Sequence, residues 1–440
     1  MLFNRFAAST NRKRRASRPR FVPSLQPLEG RLVPATTLFV NTFADAIAAD
    51  GRLSLREAID RANVTPGPDV IQLQAGTYRI TLAGSNVTNA AGDFDVTDSL
   101  TIIGKGAGLT TIEGNAVGIR ERLFEAIGLI DLRIANLALR NGGNDLSNGG
   151  AVQTLSANIT LNGCLVTGMR GLKGGSINAE SGNVTLNNST VTNSASIQTG
   201  GAINAASGDV TLNSSTVSKS SAGQGSGGGI LASKGKIVLR QSAVRNCTAN
   251  FGAGLAAFDG DVTLVNSTVA NNRAGGAIGG GIFASTGDVV LVNSRVTGNS
   301  TFGDNGFPNL DGGGGIFAGS GNVKLDTSSV SDNVASESGG GIFAQSGNVT
   351  LSRSAVCRNR ARDDGGGIAA MHSLVTVSVL NGSSVRHNVA GDPVAGSGRG
   401  GGIYSAGMLL ANSIVSGNVA FHQGGGFFAP TKATLIRSTV

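Results

Sequence analysis

Apolar and polar residues alternate in short runs along most of the chain. In GNVTLNNSTV, residues 182–191, Val184 and Leu186 are separated by Thr185, and Val191 follows a polar corner. A period of two residues is typical of a β-strand with one buried face. Gly, Asn and Ser separate the runs, so the pattern predicts many short strands joined by tight corners.

The same pattern recurs about every 26 residues in the order GGGIxA, GxVxL, NSxV and a downstream Asn. Eleven copies align, 24 to 27 residues apart except for two steps of 34 and 35. Their anchor apolar residues are Val152, Ile177, Ile203, Ile230, Leu255, Ile282, Ile316, Ile342, Ile368, Ile403 and Phe427. Such a period indicates stacked units, and three strands per copy leave no room for crossover helices. We therefore predict an all-β fold, a right-handed parallel β-helix of triangular coils with about 26 residues each.

A helical pattern precedes the repeats. In SLREAIDRAN, residues 54–63, Ser54 and Glu57 have the spacing of a capping box. The apolar residues of this segment share one helical face: Leu55, Ala58, Ile59 and Ala62. We expect a short helix that caps the first coil and covers its unpaired edge. The expected organisation is a basic, disordered targeting segment at 1–35, a cap at 36–63 and the β-helix at 64–440, with regular repeats at 148–440.

An asparagine follows the last core valine by three residues in the later copies. These residues are Asn272, Asn299, Asn333, Asn359, Asn388 and Asn418. Stacked amides can donate to and accept from one another, so this register predicts an asparagine ladder along one corner. Asn is also simply common in turns, but that tendency does not explain a fixed register.

The net charge of +8 is concentrated at the N-terminus. Residues 1–35 hold eight Lys or Arg and the single Glu29, which leaves 27 bases and 26 acids in the rest of the chain. A nucleic-acid-binding solenoid would show a basic stripe along its length, so we expect no nucleic-acid partner.

No apolar run reaches the roughly 18 residues of a transmembrane span. The three cysteines fall in different repeat contexts, so we expect free thiols.

Three segments resemble bacterial surface proteins. PSLQPLEGRLVPA, residues 23–35, resembles the LEPR-XLL segment of giant surface proteins, with Gly30 as a departure. Residues 36–63 resemble the CSLREA domain, in which Leu53 replaces the family's Cys. GGGI with a downstream Asn is similar to the repeats of polymorphic outer membrane proteins. The resemblance implies a pectin-lyase-like β-helix outside the cell, at the cell surface or the outer membrane.

Acidic residues recur five positions before three successive anchors, at Asp311, Glu337 and Asp363, and Asp364 adds a fourth carboxylate. Stacked coils would bring these like charges about 5 Å apart, close enough to recruit a cation such as Ca²⁺. The alternative is a set of solvated turn formers. Otherwise the sequence predicts no cofactor.

The residue after each anchor must point away from the core, since the anchor points into it. In the later copies this residue is often aromatic: Phe283, Phe317, Phe343 and Tyr404. Insertions at residues 300–312 and 390–400 precede two of these residues. An exposed aromatic stripe could bind sugar rings or a partner protein, whereas a stack of rings could merely stabilise the sheet.

The sequence favours a non-catalytic surface protein that contacts cell-wall or extracellular polysaccharide, or a surface protein, for example in adhesion. The alternative is a polysaccharide lyase or glycoside hydrolase of the same fold, with Asp311, Glu337 and Asp363 as acids and Arg362 as a base.

The last copy stops at Val440 without a cap. This predicts end-to-end self-association, unless the chain is truncated or a further region follows.

Overall fold

The computed structural model describes residues 35–84, 88–114, 121–303, 312–394 and 396–440. From residue 35 onward the chain is an all-β parallel solenoid of about 13 turns with about 27 residues per turn, and it contains almost no helix. The predicted parallel β-helix is confirmed. The coils are not triangular, however, because ten of the described coils have a fourth short strand. This strand follows the corner that carries the predicted asparagine in six of these coils.

Successive coils pair in parallel and in register, which builds four sheets over the described residues. The first sheet, which contains the anchor residues, comprises Phe94–Val96, Phe124–Ala126, Val152–Thr154, Ile177–Ala179, Ile203–Ala205, Ile230–Ala232, Leu255–Ala257, Ile282–Ala284, Ile316–Ala318, Ile342–Ala344, Ile368–Ala370, Ile403–Ser405 and Phe427–Phe428. The second sheet comprises Thr37–Phe39, Asp69–Gln72, Leu100–Ile103, Asp131–Ala135, Asn158–Asn162, Val184–Asn187, Val210–Asn213, Ile237–Arg240, Val262–Val265, Val289–Val292, Val323–Asp326, Val349–Ser352, Thr376–Leu380, Gly407–Ala411 and Lys432–Ile436. The third sheet comprises Gly76–Arg79, Thr110–Glu113, Ala138–Arg140, Leu165–Thr167, Thr190–Thr192, Thr216–Ser218, Ala243–Arg245, Thr268–Ala270, Arg295–Thr297, Ser329–Ser331, Ala355–Cys357, Ser384–Arg386 and Ile414–Ser416. The fourth sheet comprises Arg170–Lys173, Ala195–Thr199, Ser221–Ala222, Thr248–Phe251, Arg273–Ile278, Ser300–Thr301, Val334–Ala335, Arg360–Ala361, Val389–Ala390 and Val419–Ala420.

The glycine triplets turn the chain from the fourth sheet into the first. In one triplet, Gly339 has a φ of +64°, which favours glycine. A Cβ on Gly340 would lie 2.4 Å from the carbonyl oxygen of Gly366, and one on Gly341 would lie 2.7 Å from that of Gly367. All three positions therefore exclude a side chain, which explains why the whole triplet recurs.

Two left-handed corners bracket the strands of the third sheet from Ala138–Arg140 onward. In one coil they are Asn188 and Asn193, with φ of +47° and +54°. In another they are Asn266 and Asn271, with φ of +51° and +55°. Asn tolerates this conformation better than most residues, because its short polar side chain hydrogen-bonds locally. The recurring Asn before each Ser of NSxV thus has a backbone role.

The single described helix, Leu55–Val64, carries the predicted capping box between Ser54 and Glu57. Its apolar face is buried against the first coils, as the pattern predicts. Arg56 is also fully buried, although the apolar pattern assigns it no such place. No described helix is long and apolar enough to cross a membrane.

Candidate functional site

One row of side chains runs along the outer side of the first sheet, and we call it the outer row. Strand pairing places its members one above another: Asp95, Glu125, Gln153, Asn178, Asn204, Leu231, Ala256, Phe283, Phe317, Phe343, Ala369, Tyr404 and Phe428. The row changes from acids to amides and then to apolar and aromatic residues. The repeat pattern revealed the row from Gln153 onward, but not its acidic start.

The aromatic part of the outer row is largely covered, which corrects the expectation of an exposed stripe. Phe317 is 5% exposed and Phe343 is fully buried. Their rings stack on each other at 5.2 Å, and the half-buried Phe283 stacks on Phe317 at 5.5 Å. The glycine corner lies directly on them, since a Cβ on Gly312 would be 2.7 Å from the ring of Phe343. These rings stabilise the sheet, and Phe317 and Phe343 cannot bind a ligand without rearrangement.

Tyr404 lies at a more open end of the row. It is half-buried and stacks on Phe428 at 5.7 Å. The guanidinium of Arg399 lies over both rings, 4.9 Å from that of Tyr404 and 5.5 Å from that of Phe428. Of the four aromatic residues, Tyr404 and Phe283 therefore keep part of their surface accessible.

The amide part of the row is a chain of buried hydrogen bonds. Asn204 donates to Oδ1 of Asn178 at 2.7 Å, and Asn178 donates to Oε1 of Gln153 at 2.8 Å. Thr199 donates to Oδ1 of Asn204 at 2.9 Å. These hydrogen bonds satisfy buried amide groups that would otherwise destabilise the fold, so the amide part of the row has a structural role.

The acidic start of the row is a group of three carboxylates, which we call the carboxylate triad: Asp93, Asp95 and Glu125. One oxygen from each lies within 4.8 Å of the others. Asp95 pairs with Glu125 across neighbouring strands, and Asp93 points to the same side because it precedes Asp95 by two residues. Asp93 is 4% exposed and Asp95 is 1% exposed.

The triad carries more negative charge than its neighbours neutralise. Arg122 lies 3.1 Å from Asp93 and 3.6 Å from Glu125. Both oxygens of Asp95 are buried without a hydrogen-bond partner. Burial, opposed by Arg122, raises the pKa of Asp93 to about 6. Burial and the charges of Asp93 and Glu125 raise the pKa of Asp95 to about 7.

Arg56 of the helix fastens the segment that precedes the triad. Its guanidinium pairs with Asp45 at 2.7 Å and donates to the carbonyl oxygens of Gly92 at 2.8 Å, Asn89 at 3.2 Å and Asp93 at 3.3 Å. Asn89 donates back to the carbonyl oxygen of Arg56 at 2.9 Å. The helix, the segment 88–93 and the triad therefore form one connected structure.

The three described members of the predicted acidic corner, Glu337, Asp363 and Asp364, do not form such a group. Asp311 lies outside the described residues. Glu337 and Asp363 lie in neighbouring coils, since the N–H of Asp363 donates to the carbonyl oxygen of Glu337 at 3.2 Å. Asp364, however, pairs with Arg399 at 2.7 Å. In the described chain, the triad is the only set of three possible metal-ligating side chains close enough to share an ion.

The six predicted ladder asparagines are hydrogen bonded in sequence. Nδ2 of each of the first five donates to Oδ1 of the next asparagine at 2.9 to 3.0 Å. Each Nδ2 also donates to the carbonyl oxygen of a valine in the preceding coil. Five of the six are buried, and Asn418 is half-buried. The ladder is a structural element that joins the coils.

A ladder of serines runs parallel to the asparagine ladder. The repeat pattern was not used to predict it. Except at Ser383, the N–H of each serine donates to the hydroxyl of the equivalent serine in the next coil, as from Ser215 to Ser242 at 3.0 Å. Cys164 occupies the first position, and its N–H donates to the hydroxyl of Ser189 at 3.0 Å. The fixed register of Ser in NSxV was the signal for it.

An open groove of about 380 Å³ crosses four coils on the third sheet, and we call it the arginine groove. Its charged side chains are the exposed Arg295, Arg353 and Arg386. Arg353 pairs with Asp326, whereas Arg295 and Arg386 have no carboxylate partner in the described chain. Serine and threonine residues form most of the remaining lining, and no described Asp or Glu does.

Two solved structures are similar to the chain at low identity. One is the Azotobacter vinelandii mannuronan C-5 epimerase AlgE6 A-module, with 16% identity, 88% of this chain and 95% of that chain covered, and a TM-score of 0.38. The other is the catalytic domain of GH87 α-1,3-glucanase in complex with nigerose, with 10% identity, 94% of this chain and 70% of that chain covered, and a TM-score of 0.37. Likeness at this level does not bear on function. No protein-family model matches the chain, and neither does any curated protein.

Proposed function

We propose that this chain is a non-catalytic, extracellular β-helix protein that binds an acidic polysaccharide through the arginine groove. The observation that carries the proposal is the pair of exposed arginines, Arg295 and Arg386, without carboxylate partners in a groove lined by hydroxyl groups. Guanidinium groups bind carboxylate and sulfate groups through paired N–H donors, and hydroxyl groups can bind sugar hydroxyls.

The groove has the dimensions of a polymer site. Arg295 and Arg386 belong to the first and the fourth of four successive strands, and Arg353 lies at the corner before the third strand. Neighbouring strands lie about 4.8 Å apart. The charged positions therefore extend over roughly 14 Å, which suits repeated anionic groups along a chain. A location outside the cell rests on the resemblance of residues 23–63 to surface proteins, and remains part of the proposal.

The burial of the acids favours the non-catalytic proposal over a lyase or hydrolase. Such enzymes need a carboxylate or a base within reach of the bound sugar. In the carboxylate triad Asp93 and Asp95 are buried and Glu125 is half-buried. The arginine groove has no described acid in its lining. Enzymatic activity is the alternative, and the same experiment detects it.

The test measures the retention of purified protein on pectin, alginate and neutral glycans, together with the release of reducing or unsaturated ends. We expect retention on the acidic polymers that weakens at higher salt, with no released ends. The double variant R295A/R386A should bind at least about tenfold more weakly. R240A removes an exposed arginine from the second sheet and is the matched control.

Y404A tests the accessible end of the outer row in the same assay. Loss of binding in Y404A but not in R295A/R386A would assign the glycan to the aromatic residues and reject the arginine groove. Equal binding by all variants would reject both surfaces. Released sugar ends would establish an enzyme.

A further inference from the structure

We propose that Asp93, Asp95 and Glu125 bind a divalent cation, Ca²⁺, which fastens the helical cap to the first two coils of the β-helix. The site is separate from the arginine groove, and none of its residues belongs to the acidic corner that the repeat pattern suggested. The ligands are oxygen atoms of carboxylates, which Ca²⁺ prefers.

The unpartnered carboxylate of Asp95 is the observation that points to a ligand. A buried polar group without a hydrogen bond is rare in folded proteins, because it has lost water and gained nothing in return. Asp95 is 1% exposed and both of its oxygens lack a partner. Oxygens of Asp93 and Glu125 lie within 4.8 Å of an Asp95 oxygen, so one ion could contact all three.

The charges around the triad also favour a cation. Arg122 is the only cation that pairs with a carboxylate of the triad among the described residues, and it lies beside Asp93 and Glu125 rather than Asp95. The second nearby cation, Arg56, already pairs with Asp45 at 2.7 Å. Glu121 adds further repulsion at Asp93. A divalent ion would offset the negative charge that remains.

The position of the triad explains what the ion would do. Asp95 belongs to the first strand of the first sheet and Asp93 directly precedes that strand, whereas Glu125 belongs to the second strand, so the ion would join two coils. The segment that leads into Asp93 is held by Arg56 and Asn89 against the helix. Ca²⁺ binding would therefore stabilise the cap together with the coils that it covers.

The experiment uses the full chain after treatment with EDTA and adds Ca²⁺ alone, or Mg²⁺ alone, while calorimetry records binding and thermal unfolding records Tm. We expect one Ca²⁺ per chain, a higher Tm, and slower hydrogen exchange in residues 88–96. Extracellular calcium sites fill at up to millimolar concentrations, so the titration extends to that range.

Two variants separate this site from the acidic corner. D95N should lower the Ca²⁺ affinity at least tenfold and abolish the rise in Tm. Its Tm in EDTA should be no lower than that of the wild type, because the variant removes a repulsive charge. D363N changes a carboxylate of the acidic corner and should respond to Ca²⁺ like the wild type.

Three results would overturn the proposal: no Ca²⁺ response in the wild type, a full response in D95N, or a response lost in D363N. A larger response to Mg²⁺ than to Ca²⁺ would overturn the assignment of the ion. All these measurements use the metal without any glycan, so they succeed or fail independently of the arginine groove.

Discussion

The side chain of Asn333 donates from Nδ2 to Oδ1 of Asn359 at 2.9 Å, and its backbone N–H donates to the same oxygen at 3.0 Å. Asn299 makes the same two contacts to Asn333, at 3.0 and 2.9 Å. One side chain therefore joins three coils at a corner. Such a residue contributes to stability through the hydrogen bonds of its neighbours as well as through its own.

N333A should lower the free energy of unfolding by about 3 kcal/mol, because two buried donors of Asn299 lose their acceptor. The control is N348A in the following coil, which removes an exposed side chain that accepts one hydrogen bond, from the N–H of Thr376. We expect a loss of less than about 1 kcal/mol from the control. Urea unfolding measures both, and equal losses would show that the ladder has no special role.

F343A should destabilise the chain by about 3 to 5 kcal/mol, since it removes a fully buried ring from a stack. Its retention on acidic glycans should be unchanged under conditions in which it is folded. The matched control is F421A, whose ring is 39% exposed and should contribute much less. An F343A variant of normal stability that fails to bind glycan would restore the aromatic surface as the binding site.

R56M should release the cap, because it removes four contacts and leaves Asp45, whose side chain is 2% exposed, without its ion pair. Breaking a buried ion pair on one side costs about 3 to 5 kcal/mol. We expect faster hydrogen exchange in residues 88–94. The exposed Arg52 provides the control R52M. Unchanged exchange in R56M would mean that the apolar face of the helix alone holds the cap.

Only Cys357 should react with iodoacetamide in the native protein at pH 8. Burial raises the pKa of Cys164 to about 11 and that of Cys247 to about 12, so almost no thiolate forms and neither sulfur is accessible. Cys357 is half-buried and its pKa is raised by burial as well, so its reaction should be slow. Peptide mapping should show one labelled site before urea and three after it. Native labelling that persists in C357S would contradict this assignment.

The repeat pattern was sufficient to predict the architecture, because equivalent positions of each coil have the same backbone conformation and the same packing. Gly339 to Gly341 exclude side chains, and residues such as Asn188 occupy left-handed corners. In-register stacking then makes equivalent residues neighbours, which is why the contacts of Asn333 could be predicted without coordinates. The fourth short strand was missed, since its two to six residues carry no consistent alternation.

The repeat also could not show which outward-facing residues are covered. Alternation indicates that Phe343 leaves the core, but its burial depends on where the glycine corner of the neighbouring coil crosses it. End-to-end association stays a prediction.

Local pattern along the chain thus defined the coils, their register and the asparagine ladder, because those features repeat between neighbours in the stack. The carboxylate triad was decided by tertiary structure alone. Asp95 and Glu125 are 30 positions apart in irregular coils, and the helix that covers their surroundings comes from Leu55–Val64. The burial of these carboxylates and the charges around them depend on how segments distant in sequence pack together. A local sequence pattern does not predict such packing.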